Sequence, residues 1–363
     1  MATTPKKSIG YYLSVGLLRG LNLLPYSWVA RFGAGLGRVL YALPSSRKRV
    51  VHTNLRLCFP HWDDATRERV AKASFVHAIR SYAERSVQWF ADGKKLERYG
   101  RYTVVRPEPQ CFWSPRDPAA FEAATALFDP QQEEEDSGRW RFDKHGPIDA
   151  FPLQWRDVRF MGRFTPFRHL AFFPEQAANW DWLDARVRTL KQPKVLNLFG
   201  YTGVASLACS AAGAHVTHVD ASKKSVAYAR ENAELSGLAD RPIRWIVEDA
   251  RKYVAREVRR GSKYDGVILD PPKYGRGPTG EVWRLFEDMP ALLKDCAALL
   301  ADDADFLLLN AYAARVSGLS LAHLMAEATQ DRGGRIDWGE LALSEDGANA
   351  RAIGLSFFAR WSK

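Results

Sequence analysis

Val195-Leu196-Asn197-Leu198-Phe199-Gly200-Tyr201-Thr202-Gly203 is an apolar run that breaks at a glycine and continues into the small-residue segment Val204 to Ala212. A short apolar run ended by glycine predicts a strand buried on both faces, and the segment after Gly203 predicts a helix. The same alternation continues to the C-terminus. Strands are expected over 194–199, 215–220, 243–248, 264–270 and 304–310, with a final pair near 339–345 and 352–361; helices are expected near 203–212, 222–236, 250–260, 280–300 and 317–332. This pattern predicts an α/β fold, a Rossmann-like sheet of seven mostly parallel strands covered on both faces. In such sheets ligands bind at the carboxyl ends of the strands.

The residues with chemistry to offer sit at those ends. Gly200 and Gly203 let the backbone pass close to a ligand, and Asn197, Phe199 and Tyr201 share their loop. A pyrophosphate-binding turn would show GxGxxG, and the first glycine of that pattern is missing. S-Adenosylmethionine has no phosphate, and its amino-acid end and sulfonium need backbone groups and short contacts instead. Asp220, closing the second strand, can accept both ribose hydroxyls, or it can cap the helix before Ser222. Asp249, just before Ala250, can accept from an adenine amino group, or it can cap the next helix. Together the three strand ends point to an adenosyl cofactor.

The fourth strand, Tyr264-Asp265-Gly266-Val267-Ile268-Leu269, runs into Asp270-Pro271-Pro272-Lys273-Tyr274. The prolines fix the backbone, so that Asp270 and the Pro271 carbonyl can face a substrate amino group while Tyr274 stacks on a base. Asp270, Pro271, Pro272, Lys273 and Tyr274 are therefore the candidate catalytic segment. Cys58, Cys111, Cys209 and Cys296 are scattered without CxxC spacing, so no metal site and no disulfide framework is expected.

The chain carries a net charge of +10 over 363 residues. Residues 1–92 hold 14 Lys and Arg against 5 Asp and Glu, whereas the remainder holds 38 against 37. The basic excess belongs to the N-terminal quarter and does not argue for RNA binding by the rest. From Ile9 to Leu43 the chain is apolar, but Arg19, Arg31 and Arg38 cut it into runs shorter than the roughly 20 residues a spanning helix needs. With Lys6, Lys7 and Arg47-Lys48-Arg49 beside it, this stretch suits the surface of an anionic membrane, with contact through residues 1–60. An ordinary buried helical hairpin turning at Ser45 to Arg49 is the equal alternative. Residues 62–90 read as a helix. Residues 101–173 alternate apolar and polar positions and predict short antiparallel strands, and Gln131 to Gly138 reads as a solvated loop.

Leu23-Leu24-Pro25-Tyr26, Arg49-Val50-Val51-His52-Thr53-Asn54-Leu55-Arg56-Leu57-Cys58-Phe59-Pro60 and Trp89-Phe90 resemble the N-terminal part of the lipid A biosynthesis acyltransferases of Gram-negative bacteria. Those enzymes activate the acceptor hydroxyl with a histidine followed five positions later by an acid. Here only His215 meets that spacing, and its Asp220 is better explained as a strand end. The resemblance implies membrane association rather than acyl transfer.

From residue 93 onward the chain resembles the bacterial class I methyltransferases related to those that modify 23S ribosomal RNA. The matching strings are Lys95-Leu96-Glu97-Arg98, Arg106-Pro107-Glu108-Pro109-Gln110, Phe172-Phe173-Pro174-Glu175-Gln176, the Phe199–Gly203 loop, Asp220 and Asp270–Tyr274. The resemblance implies a seven-stranded class I methyltransferase fold, S-adenosyl-L-methionine as cofactor, ribosomal RNA as partner and a place in the cytoplasm, at the inner face of the membrane if residues 1–60 attach there. Phe173 to Gln176 would lie over the cofactor, with Gln176 a contact, or form a structural lid. The expected organisation is a helical segment over 1–92, a small antiparallel β subdomain over 93–185 and the methyltransferase domain over 186–363. Self-association stays open. Relatives that methylate cytosine C5 use a cysteine thiolate; where it would sit, this chain has Asn310-Ala311-Tyr312, so a nitrogen acceptor is favoured over carbon. A non-RNA substrate remains the alternative, as does a membrane-tethered module with an inactive acyltransferase remnant. An RNA enzyme would show a basic, aromatic-lined mouth built from Arg168, His169, Lys273 and Arg276, unless these are ordinary surface charges.

Overall fold

A capping serine and two helix-facing glycines organise the first unit. A computed structural model describes residues 16–21, 24, 26–90, 93–111, 113–131, 134–144, 146–312, 316–347 and 349–363. Lys6, Lys7, Ile9, Leu23 and Pro25 lie outside the described residues. The chain divides into one unit of residues 1–98 and 103–127 and another of residues 99–102 and 128–363. In the first, helices α1 (Tyr26–Ala42), α2 (Ser46–Cys58) and α3 (Asp64–Phe90) follow one another. Ser45 caps α2, its Oγ accepting from the Lys48 N–H at 3.2 Å. A Cβ on Gly33 or Gly37 would stand 2.7 Å from the Cα of Arg80 or Val76, so α1 and α3 meet backbone against backbone. Tyr41 is buried and its hydroxyl bonds His52 Nε2 at 3.1 Å. The buried hairpin expected with its turn at Ser45 to Arg49 is not formed: Ser45 opens α2, no residue of α2 is buried, and α1 packs on α3 instead, with Trp28, Phe32 and Val39 left 62, 47 and 59 % exposed. No described helix is long and apolar enough to cross a membrane.

Strands β1 (Lys94–Tyr99) and β2 (Tyr102–Pro107) come next, Arg106 pairing with Glu97 at 2.6 Å. One expectation is corrected here. Val104 and Val105 pair with Ala126 and Leu127 of β3 (Ala126–Gln131) in parallel, not antiparallel. The connection holds the short helix α4 (Pro118–Glu122), which makes a crossover of the length that parallel pairing requires.

The second unit continues with β4 (Glu134–Phe142), where a solvated loop was expected over 131–138, and with the antiparallel hairpin β5 (Ala150–Trp155) and β6 (Val158–Arg163). A single 3-10 turn, Pro174–Gln176, leads into α5 (Ala177–Val187), a helix the alternation did not predict. Its Trp180, Leu183 and Val187 are buried at helical spacing, but Asn179 and Asp184 are buried among them and blur the apolar stripe. Then come β7 (Lys194–Leu198), α6 (Val204–Ala211), β8 (His215–Asp220), α7 (Lys223–Leu235), β9 (Ile243–Val247), α8 (Ala250–Arg259) and β10 (Gly266–Leu269). A hairpin, β11 (Tyr274–Arg276) and β12 (Val282–Arg284), precedes α9 (Leu285–Ala298), β13 (Phe306–Tyr312), α10 (Gly318–Ala328), β14 (Arg335–Ser344) and β15 (Ala352–Ser362). The hairpin corrects the expected helix start at 280: Gly277-Pro278-Thr279-Gly280 forms its turn, Gly280 at φ 97°, so α9 starts at Leu285.

The seven-stranded sheet runs β14-β15-β13-β10-β7-β8-β9, parallel from β13 to β9 and antiparallel at the late pair. Val195, Leu196, Leu198, Val267, Ile268, Leu269 and Phe306 to Leu309 are all buried, as strands covered on both faces require. Chain order reverses at β7, with β8 on one side and β10 on the other, which opens a crevice at their carboxyl ends.

Candidate active site

The loop after β7 is held by its own neighbours. Gly200 N–H donates to the Val219 carbonyl at 3.0 Å, Tyr201 N–H to Asp220 Oδ2 at 2.9 Å, and Thr202 Oγ1 to the Ala171 carbonyl at 2.7 Å. Phe199 and Tyr201 adopt φ of 55° and 47°, a region costly for any residue but glycine, so the surroundings impose this loop. Packing also requires the two glycines. A Cβ on Gly200 would overlap the His218 ring; one on Gly203, at φ 87°, would stand 2.7 Å from the Ala229 Cβ. Both therefore answer to packing behind the loop as well as lining the site. Asn197 also lies behind: it is buried, and its Nδ2 donates to Ser206 Oγ at 2.8 Å, leaving that hydroxyl to donate to His218 Nδ1 at 3.0 Å. Burial pulls His218 down to about 3, so it is neutral at working pH.

A cleft of about 560 Å³ opens in front of the loop. Phe199, Tyr201, Asp220, Asp249, Ala250, Gln176, Asp270, Pro271, Pro272 and Tyr274 all line it, which brings the predicted residues of four strand ends to one cavity. Asn197, Gly200 and Gly203 instead line a cavity of about 50 Å³ beside it. Lys273 is exposed and belongs to neither lining.

Asp220 accepts from Tyr201 N–H with one oxygen and from Ser222 N–H, at 2.8 Å, with the other, leaving lone pairs on both. Burial raises its carboxyl above the ordinary value. The helix after it is capped by Ser222. Asp249 caps α8: Oδ1 accepts from Arg251 and Lys252 N–H at 2.9 and 3.2 Å, and Arg251 grips Oδ2 at 3.2 Å. Ala250 begins that helix, where an N–H has no intrahelical partner.

Asp270 ends β10. Burial first, then the neighbouring Glu175, pushes its carboxyl up to about 7. Gln176 Nε2 faces Asp270 Oδ2 at 3.5 Å. The Gln176 carbonyl accepts from Asn179 Nδ2 at 2.8 Å and from Asn310 Nδ2 at 3.2 Å, so its amide can present only N–H to Asp270. Arg360 Nε holds Asn179 Oδ1 in turn at 3.0 Å.

Sequence reasoning missed two residues here. Glu175, buried in the lining beside Asp270, sat inside a string read as lying over the cofactor, with Gln176 its contact, or as a structural lid. Trp283, on β12, donates from Nε1 to the Pro272 carbonyl at 2.7 Å while its ring packs on Phe199 at 4.9 Å between centroids, tying the two loops together. It follows Val282 in what looked like a helix, and no spacing marked it. No cysteine lines the cleft. Cys209 and Cys296 are fully buried in α6 and α9, and burial lifts Cys209 up to about 12, far from thiolate chemistry.

Comparison with known proteins gives this cleft its context. The chain is 49% identical to the SAM-dependent methyltransferase of Agrobacterium tumefaciens in its crystal structure, over 75% of this chain and 88% of that one, with a TM-score of 0.72. The chain belongs to the S-adenosylmethionine-dependent methyltransferases. Family models match at both ends: residues 3–102 match the bacterial lipid A biosynthesis acyltransferases, and residues 176–312 match a family described as conserved hypothetical protein 95. Among curated proteins, the first part is 30% identical over 88 residues to the lipid A biosynthesis lauroyltransferase of Escherichia coli K12, covering 24% of this chain and 29% of that protein. A stretch of 98 residues is 34% identical to the ribosomal RNA large subunit methyltransferase I of Klebsiella pneumoniae strain 342, covering 26% of this chain and 24% of that protein. The chain thus spans only about a quarter of these curated relatives. Both the fold class and the cofactor expected from the strand ends therefore stand for this methyltransferase.

Proposed function

We propose that this methyltransferase modifies a nitrogen of a nucleobase in RNA, with ribosomal RNA as the substrate class. The observation that carries the reading is Asp270, held near neutrality beside Glu175 and Gln176 at the end of β10, in one cleft with Asp220 and without a cysteine. The ribosomal RNA methyltransferases among the relatives support the substrate class. An acid-rich cleft of this volume fits a cationic cofactor carrying a diol and amino groups.

When bound, S-adenosylmethionine supplies an electrophilic methyl group. Asp220 would hold the ribose hydroxyls with its remaining lone pairs, Ala250 N–H and Asp249 would hold the adenine, and Phe199 and Tyr201 would form the near wall, with Asn197, Gly200 and Gly203 supporting them. Gln176 and Asp270 face the acceptor. An amino or ring N–H of the base donates to Asp270, which takes the proton as nitrogen becomes the nucleophile. The carbonyl of Pro271 and the ring of Tyr274 hold the base, Pro272 keeps the turn rigid, and Lys273 lies outside on the rim. A C5 acceptor would need a thiolate that this cleft does not provide.

Asp270 has to be ionised to act as acceptor, so methyl transfer is expected to rise with pH through about 7 and level off above it. A rate independent of pH between about 6 and 8, with chemistry limiting, would remove Asp270 from the proton's path. The substrate class is tested by giving the full chain labelled S-adenosylmethionine with total RNA, lipid and protein from an undermethylated host. Label in RNA supports the reading; label only in lipid or protein rejects it.

We divide the chain functionally at 1–92, 93–185 and 186–363 and place its work in the cytoplasm. In the first segment, residues 1–61 contain no acidic residue, while Trp28, Phe32 and Val39 stand exposed on α1. A helix with exposed apolar residues and only basic charge suits peripheral contact with an anionic leaflet. The full chain is therefore expected to pellet with vesicles containing anionic lipid and to stay in solution with zwitterionic ones; equal behaviour in both excludes the contact.

A further inference from the structure

The cleft has a second aromatic wall that leads outward. Phe173 packs on Tyr312 at 5.5 Å and on His169 at 5.7 Å between centroids; His169 meets Tyr201 edge-on at 5.8 Å and stacks on Phe167 at 5.4 Å, 14° from parallel. The series starts at the cofactor loop and ends at Phe167, which is 47 % exposed. Phe167 contributes little to any core, yet it is held firmly. Its N–H donates to Thr165 Oγ1 at 3.3 Å, Thr165 Oγ1 donates to the His169 carbonyl at 3.1 Å, and Gly138 N–H donates to the Pro166 carbonyl at 2.9 Å. Trp140 Nε1 anchors the Thr165 carbonyl at 2.8 Å. An exposed ring whose ordering is already complete is a preorganised contact surface.

Charge selects the occupant. The cleft floor carries Glu175, Asp220, Asp249 and Asp270, which repel phosphate, whereas Arg276 at the rim is exposed and Arg168 reaches the same wall through the Tyr312 hydroxyl at 2.9 Å. A polymer with flat apolar faces and a backbone of phosphates meets both conditions, its bases entering while its phosphates stay outside. We infer that Phe167 and His169 form a stacking step for the nucleotide next to the acceptor, so that the enzyme takes a single-stranded RNA segment with its bases splayed apart. This rests on the RNA reading above and adds the strandedness of the substrate and the residues that hold the neighbouring base.

The test uses the full chain, deproteinised ribosomal RNA from the undermethylated host, and the variants Phe167→Ala and Phe167→Tyr. Loss of one stacking partner is expected to raise KM for RNA about tenfold, with kcat within about twofold and S-adenosylhomocysteine affinity unchanged. Phe167→Tyr should restore KM, and annealing the RNA to complementary DNA should abolish labelling. An unchanged KM for Phe167→Ala, a fall in kcat alone, a loss of S-adenosylhomocysteine affinity, or full labelling of the annealed duplex would each overturn the inference while leaving the RNA reading intact. If the unaltered chain labels no RNA, the RNA reading itself fails and this inference goes with it.

Discussion

Asp270→Ala is expected to bind S-adenosylhomocysteine within about threefold of the unaltered chain and to lose methyl transfer by roughly 10²-fold or more, the usual scale for a positioned proton acceptor. The separation of effects follows from geometry, since Asp220, Asp249 and Tyr201 line the cleft from β8, β9 and the β7 loop, whereas Asp270 ends β10 and faces Gln176. Equilibrium binding by calorimetry and transfer of labelled methyl groups decide it; parallel loss of both would make Asp270 a cofactor residue. Stability should move the other way. Burial and Glu175 raise its folded-state value from 3.8 to about 7, so the native state holds a proton that the unfolded chain has released across that interval. Its contribution to stability therefore falls as pH rises from about 4 to about 7. Asp270→Asn should accordingly be more stable than the parent above pH 7, by no more than about 4 kcal/mol, and indistinguishable below about pH 4. Chemical denaturation at the two pH values measures this, and a variant destabilised at pH 8 would contradict the assigned environment.

Gly200→Ala is expected to cost about 2–4 kcal/mol, because its Cβ overlaps the ring of a fully buried histidine in a tightly packed layer. The loop cannot retreat easily. Its N–H groups are committed to Val219 and Asp220, and its two aromatic neighbours already sit at positive φ. Cofactor affinity should fall with stability, since Phe199 and Tyr201 move with Gly200. The partner identifies the mechanism: introduced into His218→Ala, the same Gly200→Ala should cost markedly less than in the parent. Equal cost in both backgrounds, read from denaturation midpoints, would show that the glycine answers to something other than His218.

What could be read from the chain before its structure depends on how local the cause is. Val195–Leu198, Val267–Leu269 and Phe306–Leu309 are buried on both faces, so all but Asn197 are apolar, and the parallel strands could be read from them. Asp220, Asp249 and Asp270 were legible because each ends a strand. The purpose of Gly200 was not, since His218 lies 18 positions away and only the pairing of β7 with β8 brings it underneath. Trp283 was hidden for the same reason: its two partners, Pro272 and Phe199, come from different loops. Asp249 caps α8, one of its two readings, and it also lines the cleft. The hairpin after Tyr274 was written in Gly277-Pro278-Thr279-Gly280, but the apolar residues that follow continue into α9 and made the whole stretch read as helix.

Transfer to nitrogen with Asp270 as the proposed proton acceptor can be read from the nucleosides of the product. Ribosomal RNA from the undermethylated host is incubated with the full chain and deuteromethyl S-adenosylmethionine, hydrolysed to nucleosides and resolved by mass spectrometry, with Asp270→Ala alongside. Deuteromethyl label is expected on a base nitrogen and should vanish in the variant. Label on a pyrimidine C5, or nitrogen label that persists in Asp270→Ala, would contradict it.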